Sequence, residues 1–150
     1  MTTAINELQT IVEKYSPLLK TIDDTDYMHK PLPHKWSKKE ILGHLVDSAQ
    51  NNIRRFIIAQ YEDEPRITYQ QDEWVRICNY QEYPAQDLIE LWQLLNRHIC
   101  IIIAHIAAEI QNRTVFTNES HTIASVAADY NKHLLHHLHQ ILDMEPVAYP

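Results

Sequence analysis

The sequence predicts an all-α protein, a four-helix bundle, on three observations. Apolar residues recur every three to four positions in four separate segments, the spacing of a helix face. No segment alternates polar with apolar residues as a half-buried strand would. Only one glycine, Gly43, is present among 150 residues, which leaves few of the turns a β-rich fold needs. The length suits one domain over residues 1–150, able to bury a core without disulfides or a structural metal.

The first helix is expected over residues 3 to 22, where Ile5, Leu8, Val12, Tyr15, Leu19 and Ile22 make the stripe. Pro31 and Pro33 lie in a break over residues 23–36. Ser37 and Glu40 then form a capping box, in which Ser37 accepts from the third backbone amide of the helix and Glu40 reaches back to the first free one. The second helix therefore starts at residue 38, buries Ile41, Leu42, Leu45, Ala49, Ile53 and Phe56, and ends near residues 62–65. Residues 66–83 are irregular apart from a short helix from Asp72 to Cys78. Pro84 suits the first turn of a third helix, whose stripe runs from Leu88 through Trp92, Leu95, Ile99 and Ile103 to Ile106 and Ile110. After a polar loop over residues 113–121, Thr122 caps a fourth helix reaching Asp143.

Composition excludes several function classes. One glycine cannot build a phosphate-cradling loop or a dinucleotide fingerprint. A formal charge of −7 without a basic cluster argues against nucleic acid as a partner, and the richest apolar run, residues 99–110, is broken by His105 and Glu109 and cannot span a membrane. Cys78 and Cys100 form no paired motif, and no leader pattern opens the chain, so a cytoplasmic setting is expected. Cys100, among isoleucines, is expected to be buried and inert.

Chemistry is carried by the ten histidines, and orientation on the fourth helix sorts them. His133 and His137, four residues apart, lie at the edge of and within the apolar stripe of Val126, Tyr130, Leu134, Leu138 and Ile141, on one face one turn apart. His136 and His139 point toward solvent. His98 and His105, two turns apart on the flank of the third helix, are too distant for one ion and are boundary residues between its buried and exposed faces; His29, His34 and His121 fall in loops. A third ligand must come from elsewhere, and His44 is the candidate, although on its own helix it sits just outside the apolar arc, beside Ser48 and Asn52. Three neutral imidazoles with a vacant fourth position make the arrangement of catalytic zinc, and nickel accepts imidazole equally. Such an ion turns bound water into hydroxide, or a bound thiol into thiolate, near neutral pH. Asp47, three positions from His44, and Asp129, four from His133, are placed to accept the second N–H of a ligating ring.

Several stretches together resemble the DinB-like superfamily of metal-binding helical bundles: Trp36-Ser37, Ile41 to Ser48, Arg55-Phe56, Glu62 to Pro65, Asp72 with Trp74, and Tyr130 to Ile141. Within it the likeness is to the branch containing the bacillithiol transferases. The resemblance covers residues 30 to 142 and implies a DinB-like four-helix bundle, a metal triad at His44, His133 and His137, a divalent ion, zinc or nickel, in an open pocket, and a homodimer. It also implies an enzyme, a thiol S-transferase or hydrolase in which a low-molecular-weight thiol attacks a small-molecule electrophile, with a role in the stress response. Asp72 and Trp74 are candidates for the pocket mouth. Two positions depart from the pattern: Gln140 stands where a further histidine is common, and Lys132 where a tryptophan is. The alternative function is a non-catalytic, stress-related metal-binding protein in which the metal stabilises the bundle or a dimer.

Overall fold

The computed structural model describes residues 1–149, and its four long helices are α1 (Thr2–Leu19), α3 (Lys38–Ile58), α5 (Ala85–Ala104) and α6 (Ile123–Ile141). Two short helices, α2 (Asp24–Met28) and α4 (Gln71–Cys78), lie between them. The apolar stripes meet in one core that includes Leu8, Leu42, Leu45, Trp92, Ile99, Leu134 and Leu138. Helices α1 and α3 each pack against both α5 and α6, so α1 lies diagonal to α3 and α5 to α6, and each of these two successive pairs is joined by a crossing connection, while α3 and α5 are neighbours. The same arrangement sets α3 beside α6, which are far apart in the chain.

The start of α3 is as its sequence specifies. Ser37 Oγ accepts from the Glu40 amide at 3.1 Å, and Glu40 Oε2 accepts from the Ser37 amide at 2.8 Å. Lys30 adds an ion pair to the other oxygen of Glu40. Ser37 is fully buried, so replacing it by alanine leaves an amide without an acceptor. We expect Ser37→Ala to lower stability by about 1 kcal/mol in urea unfolding; no change would mean that water caps this helix equally well.

Four expectations need correction, and one is the end of the second helix, which stops at Ile58, short of residues 62–65. The first helix stops at Leu19, short of residue 22, and the break that follows holds α2, started by the Asp23 carboxylate accepting from the Asp26 amide. Ile22 still reaches the core from outside a helix, which is why the stripe overran. The third helix likewise stops at Ala104 rather than near Ile110: His105 Nδ1–H donates to the Ile101 carbonyl, satisfying an end group, while Ile106 turns inward from the following turn and is 5% exposed. The 113–121 loop contains a hairpin of β1 (Thr114–Phe116) and β2 (Ser120–Thr122), which places His121 on a strand. Strands of three residues are too short to show alternation, and only the β-branched and aromatic Thr-Val-Phe hints at them. The expected cap of the fourth helix is present, with Thr122 Oγ1 accepting from the Ser125 amide.

Candidate metal centre

From α3, His44 projects toward α6, where His133 and His137 stand one turn apart. One ligating nitrogen from each of the three rings can be chosen so that all lie within 4.8 Å of one another. Between His44 and His133 the Nε2 atoms are 3.0 Å apart. Two imidazole nitrogens bound to one tetrahedral zinc at about 2.0–2.1 Å would be separated by roughly 3.3 Å, so the donor set fits a divalent ion with little movement. Burial holds the rings neutral: His44 is lowered to about 3 by desolvation and then by neighbouring His137, His133 to about 2 by desolvation and its basic neighbours, and His137 is lowered mainly by desolvation. Neutral rings present lone pairs, as coordination requires.

The outer nitrogen of one ring fixes its tautomer. His137 Nδ1–H donates to Gln140 Oε1 at 3.1 Å, which leaves its Nε2 as an acceptor facing the cluster. Gln140, the residue that departs from the family pattern, therefore does an orienting job. His133 Nδ1 lies 3.4 Å from Ser48 Oγ, not against Asp129, whose carboxylate instead accepts from the Tyr149 hydroxyl. His44 Nδ1 has no partner. The expected bond to Asp47 is not formed: the Tyr80 hydroxyl donates to Asp47 Oδ1, and Oδ2 is a buried oxygen without a partner. Burial raises the Asp47 carboxyl to about 6 against the opposing Tyr80 hydrogen bond. Trp36 covers His44, with ring centres 5.1 Å apart.

His133 and His137 line a cavity of about 790 Å³. Its α3 wall is Ser48, Asn52 and Arg55, one stripe of that helix; Tyr69, the hairpin residues Thr117, Asn118 and His121, and Tyr149 close other sides. Asp72 is exposed on α4 and does not line the cavity. Trp74 is one layer out, packed edge-on against Tyr69 at 5.4 Å. His136 and His139 do not point freely into solvent: they are half-buried, their Nδ1–H groups donating to the carbonyls of Val147 and Glu145 in the chain after α6, while the Tyr15 hydroxyl donates to His139 Nε2. His98 and His105 are exposed and apart from the cluster. Cys100 is buried, with its thiol pushed up by desolvation, as expected of an inert cysteine.

Sequence reasoning missed Tyr69 and Tyr149, which no local spacing connects to the histidines. It also undervalued Ser48, Asn52 and Arg55. Their signal was available: His44, Ser48, Asn52 and Arg55 follow one another at three- and four-residue steps, so the non-apolar face of this helix is a continuous wall.

A sequence model described as the DinB superfamily matches residues 7–141. A protein of Halalkalibacterium halodurans, named as a candidate metal-dependent hydrolase, is 24% identical over 88% of this chain and 81% of its own. One of the same description from Oceanobacillus iheyensis is 26% identical over 89% and 83%. Among solved structures, YfiT from Bacillus subtilis, described as a probable metal-dependent hydrolase with an unusual four-helix bundle topology, superposes with a TM-score of 0.86 at 19% identity, covering 95% of this chain and 83% of that one. A mycothiol-dependent maleylpyruvate isomerase superposes with a TM-score of 0.77 at 12% identity, covering 98% and 61%. At these identities the superpositions establish the bundle fold.

Proposed function

Since the chain belongs to the DinB superfamily, we propose that it is a metal-dependent enzyme of small-molecule chemistry, a thiol S-transferase or hydrolase whose divalent ion, zinc or nickel, is held by His44, His133 and His137. The observation that carries this is the position of the cluster: two of its three rings form part of the wall of the 790 Å³ cavity, so an ion held there is open to a substrate. When bound, such an ion supplies Lewis acidity, which makes a coordinated water or thiol nucleophilic at neutral pH. The protein's own part is orientation and exclusion. Gln140 and Ser48 fix two rings from behind, Trp36 shields the third, and the unpartnered Asp47 Oδ2 is proposed as the acceptor for His44 Nδ1–H. A structural ion would be enclosed by a fourth side chain; among the described residues only three histidines converge.

The test is an absorbance assay with zinc- or nickel-loaded protein, using cysteine with 1-chloro-2,4-dinitrobenzene for transfer and p-nitrophenyl acetate for hydrolysis. We expect metal-dependent turnover of at least one pair, lost on chelation and in His133→Ala. Rates equal to the metal ion free in buffer for both would reject the enzymatic reading.

A further inference from the structure

The guanidinium of Arg55 is half-buried on the cavity wall and has no acidic partner. Nε and Nη2 both donate to the Ile67 carbonyl, at 3.2 and 3.1 Å, and Nη1 makes a long bond of 3.4 Å to Asn52 Oδ1. A guanidinium has five N–H groups, so two, divided between Nη1 and Nη2, are left without a protein acceptor. Among the described residues no carboxylate lies within ion-pair distance of it. The one carboxylate in the cavity wall, Asp129, is engaged by the Tyr149 hydroxyl. A desolvated cation is costly unless something neutralises it, and burial here pulls the guanidinium below its ordinary range. The side chain is also held in place: its two bonds to one carbonyl fix the plane, and Tyr69 flanks it with the guanidinium carbon 6.0 Å from the ring centre. A fixed fork with spare donors, opening on a cavity, is the geometry that recognises a planar carboxylate in a bidentate manner. Phosphate is less suited, since the cavity wall adds to Arg55 one other lysine or arginine, the exposed Lys132, rather than the cluster of cations that such a group draws on.

Position gives the substrate's outline. Ser48, which backs His133, and Arg55 are seven residues apart on α3, roughly 10 Å along the axis. Resting on the assignment of this cavity as the substrate pocket, we propose that Arg55 binds the carboxylate of a small organic acid whose reactive end reaches the three imidazoles. The acid or its thiol partner then bridges two fixed points, the guanidinium and the histidine cluster, with Tyr69 and Tyr149 flanking the path.

Calorimetry on the zinc-loaded protein with 6-mercaptohexanoate and 6-mercaptohexanol tests this, since the two probes share a thiol and differ in the far group. The acid is expected to bind at least roughly tenfold tighter, the strength of a charge-assisted hydrogen bond. Arg55→Gln should remove that preference while leaving the alcohol's affinity in place, and Arg55→Lys should keep part of it. Equal affinities in the wild type, or a preference undiminished in Arg55→Gln, overturn the proposal; the wild-type comparison and the lysine variant decide the matter if the glutamine variant does not fold. A thiolate-to-metal absorption band with cobalt-loaded protein reports separately on the histidine site. Its absence removes the metal assignment, while the acid-to-alcohol ratio still judges Arg55.

Discussion

Elemental analysis of the purified protein is expected to find about one divalent ion per chain, and His137→Ala protein to retain almost none after dialysis. The expectation follows from how coordination energy is shared. Apparent zinc binding of about 10–16 kcal/mol at a four-ligand site corresponds to about 2.5–4 kcal/mol per ligand, so losing one of three imidazoles weakens binding by on the order of a hundredfold to a thousandfold. His137 is the informative choice because its neighbours in the fold are untouched. Leu134, Leu138 and Ile141, fully buried on the same helix, hold α6 against the core, so the variant's far-UV circular dichroism should match the wild type. Equal metal content in the two proteins would defeat the three-histidine site. Loss of both metal and helix would show that the ion is structural.

Gly43→Ala is expected to destabilise the protein by about 2–4 kcal/mol, although alanine is the better helix former by about 1 kcal/mol. Packing decides the sign. A Cβ built on Gly43 would fall inside the ring of Tyr80, nearer than real Cβ atoms approach carbon. Nor is that ring the loose end of a flexible chain: it is 4% exposed and its hydroxyl is tied to Asp47. Moving the ring costs about 1–3 kcal/mol of overpacking, and breaking its bond leaves a buried carboxylate short of another partner, at a similar cost. The readout is the midpoint of urea unfolding compared at constant slope. A variant more stable than the wild type would show that Tyr80 gives way freely. If the overlap is the cause, adding Tyr80→Ala should turn Gly43→Ala from destabilising to stabilising by up to about 1 kcal/mol, the helix preference of alanine, since the two changes are coupled through one contact.

The bundle was legible because its information is local. The capping box at Ser37 and Glu40, the cap at Thr122 and the four apolar stripes each reside within a few consecutive residues. The histidine pair of α6 was legible for the same reason, as two residues one turn apart. His44 was harder. Its helix wheel placed it outside the apolar arc, yet it is 1% exposed, because α3 is covered on both faces: apolar residues meet the core while His44, Asp47, Ser48 and Asn52 meet the site. A polar face on an amphipathic helix normally faces water, and only the resemblance to a family showed that this one does not. Tyr80, Tyr69, Tyr149 and Asp129 reach their positions through tertiary contacts between distant segments, which no periodicity encodes. Asp47 illustrates the limit. The spacing allowed a bond to His44, and the hydroxyl of a residue 33 positions later is bound to one of its oxygens instead.

The diagonal placement of α1 and α3 has a consequence for synthesis on the ribosome. When α3 has emerged, α1 is present but is not its packing partner, and both must wait for α5. The last imidazole, 93 positions beyond His44, is translated only when nearly the whole described chain is out. At the proposed site, cation capture would therefore close maturation, and a truncated or stalled nascent chain would carry a solitary His44 with no second imidazole to share an ion with.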